Sequence, residues 1–168
     1  AADMRHKARG KWVHDALLSM LQSNKKGADI LFANGASACT DVTGFGLLGH
    51  LVEMAKPSGV NVALCLPDIP ILEGAVDLIK EGIFSSLQPQ NVRLRRAIKN
   101  VEKAAEDIRY PIIFDPQTSG GLLASVPHIN ADACVRALRT AGYRETAVIG
   151  EVTENDGTLE PVMLTTSI

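Results

Sequence analysis

The chain has 168 residues, 46% apolar and 21% charged, with a formal charge of −2. That is one ordinary domain's length, enough to bury a core; the charge makes no electrostatic case for nucleic acid, and no Lys/Arg stripe with interleaved aromatics occurs. No apolar run approaches the roughly 20 residues of a membrane span.

The start, AADMRHKARG, reads as neither a signal peptide nor, lacking an initiating Met, a complete natural N-terminus. Residues 1–11 read as a basic, solvated tail or linker, and 12–168 as the folded domain. Cys39, Cys65 and Cys134 are odd in number and widely spaced, which fits reduced thiols and a cytoplasmic location. Cys39 is expected to be a small buried hydrophobe, with a reactive thiol as the alternative.

Trp12–Gln22 has helical spacing, with Val13, Leu17 and Leu21 on one stripe. Ala28–Ala33 predicts a short second helix closed by Asn34-Gly35, and Ala38–Val42 an extended piece. Gly46–Lys56 is helical, with Leu48, Leu51, Val52 and Ala55 inward; Pro57 and Gly59 end it. Val60–Leu66 predicts a strand, and Ile71–Lys80 and Val92–Ile108 amphipathic helices. Ile112–Phe114 and Gly121–Val126 read as strands flanking a polar turn, followed by a helix over Asn130–Ala141 capped by Gly142. Thr146–Val152 and Leu159–Leu164 are expected to pair as a hairpin around Asn155-Asp156-Gly157. The order implies an α+β domain, a mixed β-sheet with helices mainly on one face.

Gly44-Phe45-Gly46-Leu47-Leu48-Gly49 is a literal G-x-G-x-x-G, and Asp68 follows 19 positions after Gly49, about where a dinucleotide fold places a ribose-binding acid. Such a fold needs a buried Val/Ile/Leu strand running into the first glycine. Here the residues are Ser37-Ala38-Cys39-Thr40-Asp41-Val42-Thr43, short and polar. Asp41 would repel a bound phosphate by roughly 4 kcal/mol at about 4 Å in an intermediate dielectric. A divalent cation between them reverses the sign, since Mg²⁺ is typically held by one or two carboxylates with phosphate oxygens and water. Three readings stay open on residue types alone: a metal–phosphate turn with Asp41 as ligand, plain strand-to-helix packing, and a Rossmann turn. Thr43 either donates to a phosphate or caps the following helix. Asp68, between Pro67 and Ile69-Pro70, is more simply a turn residue.

Asp115-Pro116-Gln117-Thr118-Ser119-Gly120-Gly121 is the second specialised stretch. Adjacent glycines let backbone approach a partner, and Thr118 and Ser119 add hydroxyls, so a ligand loop and a tight structural turn are both open. No G-x-S-x-G supports Ser119 as a nucleophile. His50 reads as structural, and His6, His14 and His128 have no companion at metal-ligand spacing. Glu102, Glu106 and Asp107 mix with Lys99, Lys103 and Arg109 as a solvated face.

Thr40–His50 and Asp115–Leu123 resemble two motifs of the selenophosphate synthetase (selenide, water dikinase) family, and Ser85–Asn91 resembles its S-x-x-P-x-N segment. The likeness runs from about Val13 to the end of the chain and covers only the C-terminal half of that family's two-domain architecture, shared with the aminoimidazole ribonucleotide synthetase superfamily. It implies a reaction in which ATP, selenide and water give selenophosphate, AMP and phosphate with Mg²⁺, for selenocysteine synthesis. By the resemblance, Asp41 is a metal ligand. Thr43, Gly44, Phe45 and Gly46 face the nucleotide phosphates; Thr118, Ser119, Gly120 and Gly121 border an inter-domain cleft. The nucleophilic Cys or Sec and its Lys belong to the other half, so the resemblance implies no catalytic residue in this chain and an inactive fragment on its own. It also implies that the partners are the N-terminal domain and, in the full-length enzyme, a second copy in a homodimer. The alternatives are a non-catalytic interaction or dimerisation fragment, and a related ATP-dependent synthetase of the same superfamily.

Overall fold

The computed structural model describes residues 1–166. Helices α1 (Gly10–Leu21) and α2 (Lys25–Ala33) precede strand β1 (Ala38–Asp41) and the long helix α3 (Gly46–Ser58). Strand β2 (Asn61–Cys65) follows, then the short helices α4 (Ala75–Lys80), α5 (Gln88–Asn91) and α6 (Val101–Ala104). Strand β3 (Leu122–Ser125), helix α7 (His128–Thr140) and strands β4 (Gly150–Thr153) and β5 (Val162–Thr165) complete the α+β fold. The strands divide into two sheets: β1 and β3 pair antiparallel, and β2 lies between antiparallel β4 and parallel β5.

Helix α3 joins the sheets through one broad apolar face. Leu47, Leu48, Leu51, Val52 and Ala55 are all buried, and α3 touches β1, β2 and β3. The core around it takes Leu64 and Val162 from the three-stranded sheet, Leu123 from β3, and Ile113 and Phe114 from a 3₁₀ turn over Tyr110–Phe114. A smaller cluster of Leu31, Cys134 and Leu138 packs α2 against α7.

Three sequence expectations are corrected. The helix over Val92–Ile108 is broken into a 3₁₀ segment, Val92–Ala97, and the single turn α6. Between them Ile98 is extended and forms a parallel bridge to Val162; Lys99 N–H donates to Val162 O at 2.8 Å, and the Asn100 side chain pairs with both backbone groups of Leu164. Sheet-edge pairing thus overrides the local helical period. Ile112–Phe114 is likewise a 3₁₀ turn and not a strand, its apolar side chains serving the core. Nor do the C-terminal strands form a hairpin: β2 sits between them. The 154–160 connection is held by Asp156, which accepts from Asn61 Nδ2 at 2.8 Å and pairs with Lys99.

Candidate functional site

Strand β1 delivers Asp41 to the edge of the domain, and its pairing with β3 decides what lies beside it. Asp41 stands opposite Leu122 in the register, so the end of β1 meets the start of β3 and the polar turn before it. The contact continues past the strands: Val42 N–H donates to Gly121 O at 2.9 Å, and Gln117 N–H to Thr43 O at 3.0 Å. The two specialised stretches, far apart in sequence, therefore form one surface. Asp41, Thr43, Gly44, Phe45, Gly46, Thr118, Ser119, Gly120 and Gly121 all lie on these two adjoining segments.

The glycines divide by what surrounds them. Gly46 has φ +71°, a left-handed conformation, and a Cβ there would lie 2.9–3.0 Å from the backbone of Ile113, Phe114 and Asp115. At Gly49 a Cβ would meet the Phe45 Cβ at 2.6 Å, and at Gly120 it would meet Val42 O at 2.0 Å. These three are glycine because backbone or side chain presses on them. Gly44 and Gly121 have nothing within 4 Å, so their bare backbone faces open space and admits a close ligand. The G-x-G-x-x-G here packs one turn on another; it is not preceded by a buried parallel strand, since β1 is antiparallel and half exposed.

The turn also presents free amides. Thr43 O accepts from Gly46 N–H at 3.0 Å, and Gly44 O accepts from the Asn91 Nδ2 at 2.8 Å. Drawing the Gly44 carbonyl inward points the Phe45 N–H of the same trans peptide the other way. Among the described residues nothing accepts from the Gly44 or Phe45 N–H. Phe45 is right-handed and Gly46 left-handed, the alternation that turns successive N–H groups into an anion-binding concavity, here at the N-terminus of α3.

Buried and half-buried polar side chains hold this geometry; the sequence pointed to a structural role for His50 and to none for Asn91, Gln88 or Asn24. Asn91, 7% exposed, also donates to Phe114 O at 3.0 Å, and Gln88, 4% exposed, to Pro111 O at 2.8 Å. Both belong to the Ser85–Asn91 segment, whose resemblance to the family's S-x-x-P-x-N segment was the available signal. Asn24 donates to Gly120 O at 2.9 Å, steadying Ser119, which takes a left-handed φ of +50° without being glycine. His50 is buried, with Nε2 3.1 Å from Thr43 Oγ1 and its ring 5.7 Å from that of Phe45.

Charge on the surface is sparse. Asp41 is exposed, and burial raises the carboxyl pKa of Asp115 above the ordinary aspartate value. Cys39 is exposed, a correction to the expected buried hydrophobe, because alternate residues of β1 face outward. Desolvation first, and then the Asp41 charge two residues on, raise its thiol pKa, so its thiolate is disfavoured. Among the described residues no cluster of three or more His, Cys, Asp or Glu forms a protein-only metal cage. One exposed carboxylate beside free amides fits a hydrated Mg²⁺ carried by phosphate oxygens, in which water and ligand supply most of the coordination. Hollows of about 200 and 270 Å³ lie around Phe32 and Cys39 and around Asn61 and Pro161. No helix among the described residues is long and apolar enough to cross a membrane.

Residues 3–160 match the family described as AIR synthase related protein, C-terminal domain. The chain is similar to "Selenide, water dikinase 2" of Peptoclostridium acidaminophilum, 39% identical over 133 residues, covering 79% of this chain and 38% of that protein. It is similar to "Selenide, water dikinase" of Caldanaerobacter subterraneus, 40% identical over 131 residues, covering 78% of this chain and 38% of the relative. A third similar protein, "Selenide, water dikinase" of Yersinia pestis, is 38% identical over 156 residues, covering 92% of this chain and 43% of the relative. The matched region is thus less than half the length of each of these relatives.

Proposed function

The chain belongs to the family of C-terminal domains of AIR synthase related proteins, and from that premise we propose that it serves as the C-terminal domain of a selenophosphate synthetase. In this reading it forms one wall of an ATP site, and its own N-terminal domain forms the other. The free amides at Gly44 and Phe45 bind phosphate oxygens, and Asp41 holds the Mg²⁺ that accompanies them. Thr118, Ser119, Gly120 and Gly121 border the same cleft. Bound Mg²⁺ supplies charge neutralisation between Asp41 and phosphate; the chain's residues supply orientation and a backbone seat.

The observation that carries the proposal is the joining of the two specialised turns, through Val42 to Gly121 and Gln117 to Thr43, into one surface with outward amides and the exposed Asp41 carboxylate. Gly44 and Phe45 are exposed, so these N–H groups are open to a ligand oxygen in place of water. The products are selenophosphate, AMP and phosphate, made from ATP, selenide and water in the complete two-domain protein, which is a cytoplasmic homodimer in this reading. The test is ³¹P NMR with ATP, Mg²⁺ and selenide. The 168-residue chain gives no selenophosphate signal alone and supports one when the N-terminal domain of a matched relative is supplied. A signal from the chain by itself would refute the division of labour.

One observation favours a second reading, a non-catalytic interaction module. Helix α1 leaves Leu17, Leu18 and Leu21 exposed by 51%, 55% and 80%. Leucines so exposed on one helix are typical of a face that another protein covers. Light scattering as a function of concentration separates the readings: self-association through α1, abolished by Leu17→Ser with Leu21→Ser, favours the module.

A further inference from the structure

His50 lies one turn into α3, 6% exposed, with its ring nitrogens in different settings. Nε2 is 3.1 Å from the Thr43 hydroxyl oxygen. Nδ1 is buried without a hydrogen bond, and a Glu53 carboxylate oxygen stands 3.2 Å away but out of line for one. A neutral imidazole carries one N–H and one lone pair, and the partners of the two nitrogens decide which is which. A carboxylate oxygen at this range attracts an N–H and repels a lone pair. Glu53 is largely exposed, so a small side-chain rotation aligns the bond without disturbing the core.

We infer that His50 is a positioning residue for Thr43: Nδ1 holds the ring proton toward Glu53, and Nε2 accepts the Thr43 hydroxyl proton. The consequence falls on Thr43. With its one proton directed inward, its oxygen turns lone pairs toward the surface of the turn. Thr43 then recognises donors, a bound water or a hydrated cation, and does not donate to a phosphate oxygen. Phosphate is left to the backbone amides. The step from tautomer to ligand rests on the turn being phosphate-facing, as proposed above; the tautomer does not.

Long-range ¹H–¹⁵N NMR of the ligand-free chain at about pH 8.5, two units above the ordinary histidine value, reads the tautomer directly. The expected result is a protonated Nδ1 and an unprotonated Nε2. In Thr43→Val, which keeps the side chain's shape, Nε2 stays unprotonated and its resonance moves toward the value of a free lone pair. In Glu53→Ala the Nε2–H form becomes populated. A wild-type ring protonated at Nε2 overturns the inference, as does an Nε2 resonance that ignores loss of the Thr43 hydroxyl. Titration with inorganic phosphate, followed at the Gly44 and Phe45 amides, separates the two ideas. An unchanged half-saturation in Thr43→Val is expected, and weakening by about fivefold or more, the worth of one hydrogen bond, would overturn the acceptor role. If phosphate moves no amide in the wild type, the phosphate reading fails while the tautomer result still decides the role of His50.

Discussion

The Asn91 side chain donates to Gly44 O at 2.8 Å and to Phe114 O at 3.0 Å, so one buried amide ties the glycine turn to the segment that enters the second turn. Removing it leaves two carbonyls without this donor. Asn91→Ala is expected to cost roughly 1–3 kcal/mol, read as a lower urea midpoint, and to broaden or shift the Phe45 amide resonance. Asn91→Asp is expected to be worse, since a carboxylate set between two carbonyl oxygens repels both. An unchanged midpoint in both variants would show that Asn91 does not hold the turn.

Gly44 and Gly46 are expected to respond in opposite ways. Gly46→Ala forces a side chain into a left-handed position already pressed by backbone at 2.9–3.0 Å. A loss of about 2–4 kcal/mol follows, visible in the thermal midpoint. Gly44→Ala meets nothing within 4 Å. Its stability is expected to stay within about 1 kcal/mol of the parent, while phosphate-induced shifts at Phe45 weaken because the methyl occupies the approach.

Asp41 and Cys39 face outward two residues apart on β1, and the Asp41 charge helps raise the thiol pKa. Asp41→Asn is expected to leave the thermal midpoint unchanged and to abolish Mg²⁺-dependent nucleotide turnover in the two-domain enzyme. It is also expected to speed alkylation of Cys39 by iodoacetamide at neutral pH, because the thiolate loses a repelling neighbour. Slower or equal alkylation would contradict the electrostatic link. Retained turnover at ordinary Mg²⁺ would make Asp41 a surface residue only.

Asp115 has its carboxyl pKa raised by burial. A folded-state pKa above the unfolded value means the folded chain holds the proton longer. Its contribution is fully present below the ordinary aspartate range and is lost as pH rises through the raised folded value. Asp115→Asn removes that dependence. Thermal midpoints measured from pH 3 to 7 are expected to show the variant gaining on the parent as pH rises past about 4, with a constant gap once Asp115 is ionised. A gap that shrinks with rising pH would contradict the assignment.

Much of this arrangement was legible in the residues. The period of Gly46–Lys56 predicts α3 and the face it buries, and the polar strand ahead of the glycines disfavours a dinucleotide turn. The charge of Asp41 marks it as a candidate metal ligand, a role that stays a proposal for Asp41→Asn to test. These are local properties, set by spacing along the chain and by the chemistry of one side chain. Other features depended on partners distant in sequence. Ile98 leaves a helical pattern because Val162 offers a sheet edge, and the two C-terminal strands fail to pair because β2 takes the place between them. Cys39 is exposed because of the pleat it sits on.

The site shows the same division. The sequence by itself determined which turns are chemically unusual: glycines, hydroxyls and the carboxylates Asp41 and Asp115 where packing alone would place apolar residues. The tertiary structure decided that the turns meet, that Gly46 and Gly120 are pressed by backbone while Gly44 and Gly121 are open, and that Asn91 aims the Phe45 amide outward by holding the Gly44 carbonyl. The reason is physical. A residue type states what it can donate or accept, but the direction of a hydrogen bond and the side of a glycine left bare are set by what the fold brings against it.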